Sequence, residues 1–230
     1  MKNLPTKFQV ATAVAVFFHL IGLVGILFFN RDFFVRATPF NLFLSFALLI
    51  WTQPGKNLFF ILFVALVGCI GFAVEVVGVN TGLLFGSYRY GAALGWQWLD
   101  VPFIIGINWI IVICCCGIST HTLLTKASAQ LAPELSKPMT KLKAVSVIVD
   151  GATLAVIFDW LMEPVAVKLG YWTWLDGGEI PSYNYFCWFV ISALLLALFH
   201  FLPFRKENKF AVNLLLIQGM FFLVLRTFLD

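Results

Sequence analysis

Four acidic residues stand inside apolar stretches of this chain. Glu75 lies in FVALVGCIGFAVEVVGV, and Asp150, Asp159 and Glu163 lie in VIVDGATLAVIFDWLMEP. Ionisable groups at lipid depth are costly and by default mark function. A carboxyl group kept from water tends to hold its proton, and a second carboxylate nearby strengthens that tendency. Two or three acids in one apolar pocket therefore set a proton donor beside an acceptor, the arrangement that general acid–base catalysis uses. Aromatic faces stabilise a nearby cation, and Tyr171, Trp172, Trp174, Tyr183 and Tyr185 crowd into one short segment. Protonating an alkene in a lipid-soluble substrate draws on all three features.

Helical spacing says which acids meet. Asp159 and Glu163 are four apart and share a face with the small residues Ala152 and Ala155. Asp150 precedes Asp159 by nine residues, about 180° around the helix, so it is expected to serve a second pocket. Gly68, Gly71, Glu75 and Gly78 form one stripe, and small residues on one face let a neighbouring helix approach closely. Glu75 is thus expected to face the bundle interior. A purely structural alternative pairs it with an arginine to hold helices together. Arg89, between Tyr88 and Tyr90, is the cation nearest in sequence for that role. Asp100, Val101 and Pro102 read as an N-cap with proline in the first turn, opening a helix that carries Asn108 and Trp109.

The elements that position these groups follow from composition. Hydrophobic residues make up 61% of 230 and charged ones 11%, where a soluble domain has about a quarter charged. The 26 Phe and 8 Trp suit lipid-facing and interfacial positions. The expectation is an all-α, polytopic membrane bundle of about seven transmembrane helices, residues 1–230 forming one integral membrane domain. No basic run with interleaved aromatics is present, so nucleic acid is not an expected partner. The five cysteines lack zinc or redox spacing and read as packing residues; no metal is expected.

Spans are expected at 8–29, 38–51, 57–79, 100–124, 145–164, 185–204 and 210–229. The first is too long in its apolar core for a cleavable signal, and its His19 reads as a hydrogen-bonded interior residue. Residues 80–99, rich in glycine and aromatics, fit an interfacial or re-entrant loop. Residues 126–143 read as a polar connection. With the N-terminus inside, ten of the 15 Lys and Arg fall on inner segments: Lys2, Lys7, Lys56, Lys126, Lys137, Lys141, Lys143, Arg205, Lys206 and Lys209. That bias predicts a cytoplasmic N-terminus in the cell membrane and places the acids toward the outer face.

Residues 75–109 (EVVGVNTGLLFGSYRYGAALGWQWLDVPFIIGINW) and 150–189 carry a further signal. Together with TPFNLFL at 38–44, they resemble the carotenoid biosynthesis proteins of the carotenoid 1,2-hydratase type. The likeness covers most of the chain. It departs from the family pattern at Glu163-Pro164, where Asp-Pro is usual, and at Glu179-Ile180-Pro181. The resemblance implies addition of water across the terminal C1–C2 double bond of an acyclic carotenoid, giving a tertiary alcohol without a redox cofactor. It also implies a carotenoid substrate held among membrane lipid, and association with other enzymes of the pathway. Within it, Asp159 or Glu75 is expected to be the acid and Glu163 to activate water. Tyr88, Arg89, Tyr90, Asp100, Asn108, Trp109, Asp150, Trp160, Trp172, Trp174 and Asn184 are expected to hold substrate or orient the network.

Two other readings share the acids. A carotenoid end-group cyclase also starts by protonating an alkene, then loses a proton instead of gaining water. A proton-coupled carrier also places acids within the membrane, but such folds often carry internal repeats, and none is visible here.

Overall fold

The computed structural model describes residues 6–131 and 140–229. Helix α1 spans Lys7–Phe28 and starts at a capping box between Thr6 and Gln9. A short α2, Arg31–Arg36, is capped by Asn30. Helix α3, Thr38–Thr52, has Pro39 in its first turn, where the missing N–H has no helical partner to lose. Helix α4, Leu58–Thr81, runs from an Asn57 cap to Gly82, whose φ of 67° closes it in the left-handed region.

A β segment follows: β1 (Tyr88–Tyr90), a 3-10 turn at Ala92–Leu94, β2 (Gln97–Trp98) and β3 (Val101–Pro102). Then come α5 (Ile104–Leu131), α6 (Thr140–Lys168), β4 (Trp172–Trp174), α7 (Ser182–Phe201) and α8 (Lys209–Phe228). Six of these helices are long and apolar enough to cross a membrane, so the protein is a multi-pass all-α membrane bundle. The span expected at 38–51 is α3, whose 15 residues reach only ~22 Å, short of the ~30 Å hydrocarbon core. The polar connection expected at 126–143 is different in form. Its first residues extend α5, its last open α6, and residues 132–139 lie outside the described residues.

Helix α5 is the axis of the bundle and by far its most buried span. It packs against α3, α4, α6, α7 and α8. The approach of α4 to α5 depends on the glycine stripe. A Cβ on Gly71 would sit 2.5 Å from the Trp109 Cβ, and one on Gly68 would sit 2.9 Å from Ile110 Cδ1. His19 is buried, with Nδ1 2.7 Å from the Ala15 carbonyl oxygen.

Loop 82–103, expected as an interfacial or re-entrant loop, takes part in two antiparallel pairings. β1 pairs with β4, Tyr88 opposite Trp174 and Tyr90 opposite Trp172. β2 and β3 form a tight hairpin whose two turn residues, Leu99 and Asp100, have φ of 51° and 63°. Asp100 is therefore an exposed hairpin-turn residue and not a helix N-cap.

Pro164 sits inside α6. Lacking an N–H, it leaves the carbonyl four residues back, that of Trp160, without a helical donor. Arg226 of α8 supplies one: its Nη1 donates to the Trp160 oxygen at 2.7 Å, and its guanidinium lies 3.8 Å from the Trp160 ring centre. Arg226→Met keeps the aliphatic stem and removes both contacts. It is expected to lower stability by roughly 1–3 kcal/mol, read as an earlier thermal transition of the detergent-solubilised protein.

Candidate active site

Helices α4 and α6 and the β1–β4 clasp bring Glu75, Asp159 and Glu163 to the wall of one cavity of about 30 Å³. All three are buried, and each has a different set of partners. Glu75 accepts three hydrogen bonds: Tyr88 Oη at 2.6 Å and Tyr90 Oη at 2.7 Å on Oε2, and Trp109 Nε1 at 3.0 Å on Oε1. Glu163 Oε1 accepts from both Trp172 Nε1 and Trp174 Nε1 at 2.7 Å. Asp159 Oδ2 accepts from Asn184 Nδ2 at 2.9 Å, while its buried Oδ1 has no hydrogen-bond partner among the described groups.

The clasp explains how loops supply such exact donors. Side chains alternate along a strand, so Tyr88 and Tyr90 both point to Glu75 while Arg89 points away and is exposed. On β4 the same alternation turns Trp172 and Trp174 to Glu163 and leaves Thr173 outward. Burial, and after it the neighbouring Glu75, pushes both phenols well above their usual range. Tyr88 and Tyr90 thus stay protonated and donate.

Other expected residues divide clearly. Asn108, Asn184, Trp172, Trp174, Tyr88 and Tyr90 line the cavity. Trp109 stands behind it, fully buried and stacked on Trp188 with ring centres 4.4 Å apart. Four do not reach it. Arg89 is turned out by strand alternation, so Glu75 is held by aromatic donors and not by an arginine. Asp100 is in the hairpin turn. Asp150, about 180° around α6 from Asp159, is exposed on the opposite face. Trp160, next to Asp159 but on the adjoining face, is 49% exposed and carries Arg226.

Phe85, Ile105, Met162 and Trp188, not among the expected residues, complete the wall. Trp188 was within reach of the same logic, since it lies one helical turn from Asn184. Met162 likewise lies three residues from Asp159. Phe85 was not: its φ of 66° and its backbone N–H bond to Cys187 Sγ arise from the loop's path. Cys114, Cys115 and Cys116 are buried in α5. Among the described residues no group of three or more His, Cys, Asp and Glu side chains is placed to hold a metal ion.

Comparison with known proteins bears on this cavity. The family described as carotenoid biosynthesis protein matches residues 38–229, a range that includes all three acids. Bisanhydrobacterioruberin hydratase of Haloarcula japonica is 26% identical over 137 residues, covering 56% of this chain and 41% of that protein. The similarity thus takes in less than half of that relative's length. No solved structure matches the chain.

Proposed function

This chain belongs to the carotenoid biosynthesis protein family, and from that premise we propose that it is a carotenoid 1,2-hydratase. Water is added across the terminal C1–C2 double bond of an acyclic carotenoid end group to give a tertiary alcohol. The observation that carries this reading is the convergence of three buried carboxyl groups, unequally supplied with donors, on one aromatic-walled cavity.

Donor supply suggests the roles. Among the described residues Asp159 takes a single hydrogen bond and has an unpartnered oxygen, so it is the group with a proton to give. Its proton goes to C2 as the alkene electron pair forms the new C–H bond, leaving a tertiary cation at C1. Water attacks C1, and its surplus proton passes to the Glu163 oxygen that neither indole engages. Transfer from Glu163 to Asp159, one helical turn away, restores the starting state. Glu75 has three donors on it and faces the developing positive charge as a fixed acceptor. Indole and phenol rings around the cavity add quadrupole stabilisation of the cation. With α3 counted as a crossing, the excess of Lys and Arg on one set of connections supports a cytoplasmic N-terminus and a cavity toward the outer face. Residence there leaves room for association with the enzymes that supply the hydrocarbon.

Expression in a bacterium that accumulates lycopene or gamma-carotene tests the activity. The expected pigment has gained one water per reacted end, seen by mass spectrometry. An isomeric pigment of unchanged mass would identify a cyclase instead. Unaltered pigment together with proton-dependent flux in vesicles would identify a carrier.

A further inference from the structure

Resting on the hydratase reading, we infer that the cavity between the three acids is the subsite of the attacking water, and that the hydrocarbon end group stops at its edge. Size is the first reason. At about 30 Å³ the space exceeds the ~10–15 Å³ that one water needs. It falls far below the ~300 Å³ at which pockets for organic ligands begin. One or two waters fit, and a branched hydrocarbon end does not.

Chemistry is the second reason. A cavity lined only by hydrocarbon stays dry, but this one has Asn108, Asp159 and Glu163 on its wall. Asp159 Oδ1 is buried and without a partner among the described residues, and an unmatched buried acceptor costs roughly 1–3 kcal/mol. A water on Oδ1 removes that cost. The same water, next to Glu163, stands where its surplus proton has a destination.

This placement decides the fate of the cation. Once C2 has been protonated, the C1 cation either forms a C–O bond to the held water or loses a proton from an adjacent carbon to Glu163. The second course gives back an alkene, either the substrate or an isomer, and adds nothing to the formula. Filling the subsite with hydrocarbon therefore diverts the enzyme from hydration to proton exchange without stopping protonation.

The test uses membranes containing the full-length protein, suspended in heavy water and given unlabelled lycopene. Wild type is expected to yield a hydroxylated product carrying deuterium. Asn108→Leu, which replaces a polar wall group by a larger apolar one, is expected to lower the ratio of hydroxylated to deuterated but unhydrated carotenoid by tenfold or more. Ile105→Phe fills the space from the opposite chemical starting point, an already apolar wall, and is expected to shift the ratio the same way. The ratio is internal to each sample, so poor accumulation of one variant does not alter it. Both variants hydrating with the wild-type ratio would overturn the water subsite. Variants that accumulate normally yet yield neither product would also overturn it, because protonation should survive. Failure of the wild type to add water would instead sink the hydratase reading itself.

Discussion

Asp159→Asn is expected to lower carotenoid hydration by about 10²–10⁴-fold, the usual contribution of a general acid, while protein abundance and melting temperature stay near wild type. The substitution preserves shape. Asn retains an oxygen to accept the Asn184 hydrogen bond at the Oδ2 position, and its amide nitrogen occupies the place of the unpartnered Oδ1. What it removes is the transferable proton. Pigment conversion, normalised to the amount of folded protein, measures the effect. Activity within a few-fold of wild type would move the acid role to Glu163 or Glu75.

The largest structural effect is expected at Glu75. Glu75→Leu strands three donors at once: two phenol hydroxyls and the Trp109 indole N–H. Each stranded buried donor costs roughly 1–3 kcal/mol, so a fall in melting temperature on the order of 10 °C is expected for a chain of this size. The damage spreads, because Tyr88 and Tyr90 belong to β1, whose register with β4 sets the two indoles on Glu163. Glu75→Gln should behave differently. Its carbonyl can meet the Trp109 N–H, and the two tyrosine hydroxyls can rotate and accept from its amide. Gln is thus expected to melt near wild type yet lose hydration, which separates the charge of Glu75 from its scaffolding. Size-exclusion chromatography of detergent extracts heated in steps reads both. Equal melting of wild type and the Leu variant would show that the three bonds do not hold the clasp.

How much of this was legible in sequence depended on period and range. The helical stripes were readable because 3.6-residue periodicity is local. Ala152, Ala155, Asp159 and Glu163 share a buried face as their spacing requires, and Gly71, Glu75 and Gly78 do likewise. Asp150 lies on the opposite, exposed face by the same arithmetic. The β clasp was not readable. YRY and WTW are each three residues long and stand some eighty apart, too short for an alternating pattern to register. Reading them as strands would have turned Arg89 outward and the tyrosines and tryptophans inward. Asp100 misled for a related reason: Asp followed closely by proline fits a helix start and a hairpin turn equally well, and the positive φ values at Leu99 and Asp100 decide for the turn. Trp160, expected to hold substrate, lies outside the cavity. Its actual partner, Arg226, is fixed by the carbonyl that Pro164 leaves open.

Oxygen labelling tests the central claim most directly. Membranes containing the protein would be incubated with lycopene in water enriched in oxygen-18, and the pigments analysed by mass spectrometry. A heavy oxygen in the tertiary hydroxyl of the wild-type product, absent in Asp159→Asn membranes with equal folded protein, is the predicted result. A hydroxyl carrying light oxygen, drawn from dissolved oxygen gas, or an altered pigment with no oxygen at all, would contradict an acid-catalysed hydration.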